Sequence, residues 1–228
     1  MKPGGKSLKI LRFRRFSTVE LLIALALLFF FFPFVEEVKD GDVIVSLLLS
    51  LVLLSAVLAV ADRKGAFFIA LVLAIPAIAG RWINHFRPDL VPSPVFLTAG
   101  LVLIGFVVAN LLRFVLRAPS VNVEVLCASI SAYLMLGLLW TVAYWLVDQL
   151  TPGAFAFNAN VERQSIRGFN AFYFSFVTLS TVGYGDITPV SKVARMLAAM
   201  EAMTGLLYVA VLIARLVALY SSPKSHDS

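Results

Sequence analysis

Residues 181–186 read Thr-Val-Gly-Tyr-Gly-Asp, and this hexapeptide lies between two apolar segments. The segment before it, Gly168–Ser180, contains four Phe and one Tyr, and we expect a helix at Phe169–Leu179 that is too short to cross a bilayer. The segment after it, Val193–Tyr220, is apolar and long enough to cross. This order predicts a short helix, a re-entrant loop and a membrane-spanning helix.

The hexapeptide alternates glycine with larger residues, and this alternation sets the direction of its carbonyl groups. Gly183 and Gly185 can adopt positive φ without steric cost. Alternating them with Val182 and Tyr184 turns every carbonyl towards one axis, where consecutive oxygens can replace the hydration shell of a cation. The alternative is a glycine-rich turn in the membrane with no role in ion binding, but a turn explains neither Thr181 nor Tyr184.

The same residues resemble the selectivity filter of tetrameric potassium channels. The resemblance implies that K⁺, the permeant ion, binds at Thr181, Val182, Gly183 and Tyr184, with Gly185 completing the ion-binding segment. Thr181 would add its hydroxyl to the innermost site. Asp186 follows directly and places a carboxylate at the outer mouth, where four copies would concentrate cations.

The wider segment Val125–Leu219 resembles the pore module of that family, in the order outer helix, pore helix, filter and inner helix. Tyr173 and Phe174 stand where family members carry an aromatic pair that supports the filter, and the filter tyrosine is expected to pack against this pair. Val177 stands where some bacterial members carry a glutamate bonded to the filter aspartate. Gly205 stands at the position of the inner-helix hinge glycine.

Composition agrees with a membrane protein. The chain is 61% hydrophobic and 14% charged, with a mean hydropathy of +0.94. Its single cysteine excludes a disulfide framework and a cysteine-based metal cluster. Six apolar segments are long enough to span a bilayer, the third being the shortest: Phe16–Val35, Val43–Ala61, Ala66–Ile83, Val95–Leu116, Val125–Val147 and Val193–Leu219.

The basic residues predict the orientation of the chain. Six of them precede the first span, whereas the segment after that span is mostly acidic, which places the N-terminus in the cytoplasm. With six spans the C-terminus is also cytoplasmic and the re-entrant loop faces outwards, in the cell membrane. The net charge of +6 reflects this bias and does not indicate nucleic-acid binding. Contact of the basic N-terminus with anionic lipid is an additional interpretation.

The first four spans match voltage-gated channels in number only. A voltage sensor requires basic residues at every third position of the fourth span, so that several charges move through the field. Phe96–Leu112 contains no charge at all. Arg113 and Arg117 follow at its inner end and are typical of positive-inside anchors. We therefore expect a peripheral four-helix domain that does not sense voltage in the conventional way.

Glu201 is the only carboxylate that lies deep in a predicted span. It precedes Gly205 by one helical turn and should share its face, directed towards the pore helix. Desolvation favours the neutral carboxyl, bonded to a hydroxyl such as that of Ser175, Thr178 or Ser180. Two interpretations follow: a structural hydrogen bond between inner helix and pore helix, or a proton-sensitive gate.

The sequence thus predicts an all-α membrane protein that needs no cofactor and forms a homotetramer, because irregular backbone at membrane depth must be enclosed by protein. Its expected function is passive, K⁺-selective conduction; the alternatives are a K⁺ transporter subunit and a modulatory subunit that requires a partner. No acid–base pair suited to an enzyme is present in the spans. The predicted domains are a basic cytoplasmic segment (1–15), a peripheral four-helix domain (16–117), a pore domain (123–220) and a short cytoplasmic tail (221–228).

Overall fold

The computed structural model describes residues 6–35, 38, 41–61, 64–87, 89–90, 92–158 and 165–221. These residues form α1 (Lys6–Val35), α2 (Gly41–Ala59), α3 (Lys64–Phe86), α4 (Ser93–Arg117), α5 (Val123–Leu150), β1 (Phe155–Phe157), α6 (Gly168–Leu179), β2 (Ile187–Pro189) and α7 (Lys192–Ser221). Every helix except α6 is long and apolar enough to cross a membrane, which agrees with the six predicted spans and with an all-α membrane fold.

Helix α1 begins at Lys6 and continues through residue 15, the end of the predicted basic segment. One prediction about the spans differs from the structure. The third span is not the shortest, since α3 has 23 residues and α2 has 19. Its polar end stays helical because Arg81 Nε and Trp82 Nε1 donate to Ser46 Oγ and Ser50 Oγ on α2, at 3.0 and 3.1 Å. Residues 1–5, 159–164 and 222–228, which include parts of both predicted terminal segments, lie outside the described residues.

Local capping determines where the pore-side helices begin and end. The side chain of Asn122 accepts a hydrogen bond from the Val125 amide at 2.9 Å, which starts α5. Gly153, three residues after the end of α5, takes a φ of +80° in the turn that follows. Ser191 Oγ accepts from the Ala194 amide at 3.1 Å, which starts α7 directly after the filter segment.

Helix α5 is the central element of the packing. Helices α1, α4, α6 and α7 all contact it. Helix α1 also reaches the pore helix α6: the ring of Phe29 lies 4.7 Å from that of Phe172 and 4.6 Å from that of Phe176, edge to face. Helix α1 of the predicted peripheral domain therefore packs directly on α6, the helix that leads into the hexapeptide.

A small antiparallel sheet adds to the helical fold. Phe155 of β1 lies opposite Pro189 of β2, and Phe157 lies opposite Ile187. Strands of three residues are too short to show the alternation by which a strand is predicted, so the sequence did not indicate them. The sheet ties the loop after α5 to the segment after the filter.

Candidate functional site

The short helix α6 lies against both α5 and α7 and leads into the hexapeptide. Its 12 residues span about 18 Å, less than the hydrocarbon core of a bilayer, so it cannot cross as the other helices do. The amides of Ser180 and Thr181 donate to the carbonyls of Phe176 and Thr178 at 3.1 and 2.9 Å. These bonds close the last turn, and the chain then continues into the hexapeptide as turn and irregular backbone.

The backbone of the hexapeptide alternates as the glycines predicted. Gly183 and Gly185 have φ values of +56° and +79°. Thr181 has a φ of +60°, which the sequence did not predict and which costs a non-glycine residue about 1–2 kcal/mol. The Val177 carbonyl accepts from the amides of Val182 and Gly183 at 3.0 and 3.3 Å, so the pore helix holds the inner half of the segment.

The hexapeptide is exposed in the single chain. Tyr184 is 71% exposed and Val182 is 53% exposed, although both are large apolar side chains. The neighbouring face of α7 is also uncovered, with Met196, Met203 and Leu206 each more than 60% exposed. Exposed apolar side chains beside irregular backbone require a cover of protein if they lie at membrane depth.

Tyr173 contacts the outer half of the hexapeptide from behind. Its phenol donates to Asp186 Oδ2 at 2.8 Å, and its ring stacks on that of Tyr184 with centroids 6.5 Å apart and planes 5° apart. Burial raises the pKa of the Tyr173 phenol to about 12, and its hydrogen bond to the Asp186 carboxylate acts in the same direction. The phenol therefore remains a donor at physiological pH.

Phe174 points elsewhere, so the two residues of the predicted aromatic pair have different surroundings. Its ring packs edge to face against Tyr144 of α5 and Phe155 of β1, with centroid distances of 4.8 and 5.5 Å. Within one chain it thus holds the pore helix against α5, and only Tyr173 contacts Tyr184.

The outer end of the hexapeptide is anchored by the sheet that the sequence did not predict. The Asn158 amide donates to the carbonyl of Asp186 at 2.8 Å, next to the pairing of Phe157 with Ile187. The amide of Val190 donates to the Ala154 carbonyl at 2.8 Å. Asp186 is therefore held through its backbone by this sheet and through its side chain by the pore helix.

Glu201 is completely buried and bonds to the pore helix, as predicted, through Ser175, whose Oγ lies 2.6 Å from its Oε1. The other two suggested partners are wrong. Ser180 Oγ instead donates to the Phe176 carbonyl at 2.6 Å, and no hydrogen bond joins Thr178 to Glu201 in the described part of the chain. The sequence did not predict the role of Tyr144, whose phenol on α5 donates a hydrogen bond to Glu201 Oε2 on α7.

Gly205 lies where α7 approaches the C-terminal end of the pore helix most closely. A Cβ atom at this position would overlap the backbone carbonyl oxygen of Leu179. Helix α7 continues without a break through Gly205. The structure therefore assigns Gly205 a packing function, which is separate from the hinge that the resemblance implies.

A family model matches the part of the chain that contains this site, and several potassium channels are similar to the chain over part of its length. Residues 132–222 match the family model described as "Ion channel". The chain is 33% identical over 84 residues to two pore potassium channel b of Oryza sativa subsp. japonica, a match that covers 37% of this chain and 21% of the relative. It is 30% identical over 95 residues to the inward rectifier potassium channel Kirbac3.1 of Paramagnetospirillum magnetotacticum, covering 40% and 28%. It is 46% identical over 48 residues to two-pore potassium channel 4 of Arabidopsis thaliana, covering 21% and 17%. The chain thus spans less than a third of the length of each of these relatives, and the family match leaves out α1 to α4.

Proposed function

We propose that this chain, whose residues 132–222 match an ion channel family model and which is similar to potassium channels over part of its length, forms a passive K⁺-selective pore in a membrane. The observation that carries the proposal is the left-handed backbone at Thr181, Gly183 and Gly185, on an exposed loop that a short helix holds in place. In this proposal the carbonyl oxygens of residues 181–185 and the hydroxyl of Thr181 replace the hydration shell of K⁺.

The proposed assembly is a homotetramer with the hexapeptides around one axis. The exposed side chains of Val182 and Tyr184 and the uncovered apolar face of α7 support it, because a single chain leaves them without protein contacts. One copy supplies only one wall of an ion site, so conduction requires the assembly. The dipole of α6 would then direct partial negative charge from its C-terminal end towards a cation inside the pore.

In the proposed orientation both termini are cytoplasmic and the hexapeptide faces the outside of the cell membrane. The distribution of basic residues around the first span supports this arrangement. Asp186 then lies at the outer mouth, where four carboxylates attract cations. Tyr173 fixes the direction of that carboxylate through its hydrogen bond.

The peripheral domain (16–117) is proposed to support the pore mechanically. Phe32 of α1 packs against Phe169 and Phe172 of the pore helix, at 5.8 and 5.1 Å, beside the contacts of Phe29. The uncharged body of α4 and the exposed Arg113 and Arg117 at its end provide no series of gating charges within the described chain. Coupling between this domain and the pore would therefore act through packing.

The proposal is tested with purified protein in liposomes of defined lipid, by bi-ionic reversal potentials and by mass measurement in mild detergent. We expect K⁺ and Rb⁺ to permeate far better than Na⁺, and the mass to correspond to four chains. Equal permeability to Na⁺ and K⁺, or a conducting monomer or dimer, would contradict it.

The structure supplies a matched pair of variants for this test. Gly183 and Gly153 both have positive φ, and a Cβ atom at either position would meet no atom within 4 Å. Gly183→Ala and Gly153→Ala therefore impose a similar backbone strain at different places. Only Gly183→Ala should abolish selective current. If both variants conduct normally, the carbonyls of the hexapeptide are not the ion ligands.

A further inference from the structure

A buried cluster of oxygen atoms joins the three helices behind the filter segment. Glu201 of α7, Ser175 of α6 and Tyr144 of α5 are all inaccessible to solvent. Ser175 Oγ lies 2.6 Å from Glu201 Oε1 and 2.7 Å from the Gly137 carbonyl oxygen, and the Tyr144 phenol is bonded to Glu201 Oε2. The proposed conduction pathway does not use this cluster directly.

The number of hydrogen atoms available determines the charge of Glu201. A serine hydroxyl has one hydrogen, whereas Ser175 Oγ lies within hydrogen-bond distance of two oxygen atoms. The Gly137 carbonyl has no hydrogen to contribute. If Glu201 were ionised, one of the two contacts would bring lone pairs together without a hydrogen between them. If Glu201 carries a proton, Oε1 donates to Ser175, Ser175 donates to Gly137, and Tyr144 donates to Oε2, so every contact is a hydrogen bond.

The described surroundings of Glu201 supply no basic partner for it. No basic side chain forms an ion pair with Glu201 in the part of the chain that the structure describes. Among the described residues, the phenol of Tyr144 on α5 and the hydroxyl of Ser175 on α6 bond to it, and the phenol of Tyr133 on α5 interacts with it electrostatically. On α7 itself the nearest basic residue, Arg195, lies six positions away and donates to the Pro189 carbonyl. An isolated buried carboxylate would be strongly unfavourable.

We propose that Glu201 is a neutral carboxylic acid that donates to Ser175 and accepts from Tyr144, and that this fixed chain of hydrogen bonds positions the pore helix beneath the filter. Ser175 lies six residues before Thr181, and Gly205 holds α7 against Leu179 one turn further on. The cluster therefore fixes the depth and rotation of α6, and with them the start of the filter segment. Its effect on selectivity rests on the proposed function, whereas its protonation state does not.

Glu201→Gln is the variant that separates a neutral donor from an ionised acceptor. A carboxamide can donate from Nε2 to Ser175 and accept at Oε1 from Tyr144, which reproduces every bond of the neutral acid. We expect this variant to keep its K⁺ over Na⁺ selectivity within about twofold, because no hydrogen bond is lost. Glu201→Leu removes both bonds and should reduce selectivity or tetramer stability by about tenfold or more. If Glu201→Gln is impaired as severely as Glu201→Leu, the proposal is wrong.

Infrared difference spectroscopy on the protein with ¹³C-labelled glutamate reads the protonation state without any measurement of current. We expect a C=O stretching band of a protonated carboxyl that is absent from Glu201→Gln and shifts in Ser175→Ala. Finding only carboxylate bands for Glu201 across the physiological pH range would overturn the proposal. A protein that shows the protonated band but conducts Na⁺ and K⁺ equally would retain this inference and refute the proposed channel function.

Discussion

Replacing Gly205 by alanine distinguishes a packing function of this residue from a hinge function. In an isolated helix the Gly205→Ala substitution would be stabilising by about 0.5–1 kcal/mol, because glycine loses more conformational freedom on folding. The added Cβ atom would, however, overlap the carbonyl oxygen of Leu179, a backbone atom that belongs to the last turn of the pore helix. Overpacking of this kind costs about 1–3 kcal/mol or more, because helices must move apart. We therefore expect a net destabilisation of about 1–2 kcal/mol per chain.

The matched control is Gly100→Ala in α4. Gly100 also lies inside a helix and is buried, but a Cβ atom there would have no neighbour within 4 Å. Gly100→Ala should therefore gain the helix propensity alone and raise stability by about 0.5–1 kcal/mol. Thermal unfolding of the detergent-solubilised protein gives both values under the same conditions. If Gly205→Ala is stabilised as much as Gly100→Ala, the contact with Leu179 is not rigid and Gly205 acts only as a flexible position.

Three further outcomes are expected. Phe29→Ala should destabilise the protein by about 1–3 kcal/mol in thermal unfolding, because it removes edge-to-face packing on the pore helix. Phe30→Ala, at a position 66% exposed, should change stability little. Equal effects of the two variants would contradict direct support of the pore helix by α1. Tyr173→Phe removes the hydrogen bond to the Asp186 carboxylate at the outer mouth, a charge-assisted bond of about 1.5–3 kcal/mol. This variant should accelerate the decay of K⁺ current during sustained recording. An unchanged time course would indicate that the bond is not needed for filter stability. Replacing Arg113 and Arg117 together by glutamine should leave the voltage dependence of open probability nearly unchanged, and loss of most of the slope would reveal a voltage sensor.

The features that the sequence predicted depend on short-range constraints. Positive φ at Gly183 and Gly185 follows from the absence of a side chain, which is a property of the residue itself. The spans follow from length and apolar composition, and the short helix α6 between two long ones follows from the shortness of the apolar segment before the hexapeptide. The bond between Glu201 and Ser175 was predicted as one of three possibilities, because helical periodicity restricts which face of α7 meets the pore helix.

The features that the sequence did not predict depend on contacts between distant segments. Tyr144 lies 57 positions before Glu201, and no local pattern marks a tyrosine inside a span as the partner of a particular carboxyl. The strands β1 and β2 exist only because they pair with each other across the pore helix, and the left-handed backbone at Thr181 is maintained by the turn that α6 imposes on it.

The sequence by itself therefore determined that the chain has six long apolar helices and a loop in which glycines with positive φ alternate with larger residues. Only the tertiary structure decided which bonds hold that loop: the hydrogen bond of Tyr173 to Asp186 at its outer end, the Val177 carbonyl at its inner end, and the bond of Tyr144 to Glu201 behind the pore helix. The physical reason is that backbone freedom and hydrophobicity are properties of each residue along the chain. Hydrogen bonds and close packing between helices depend instead on where side chains lie in three dimensions. Two sequences with the same apolar pattern can place those side chains differently.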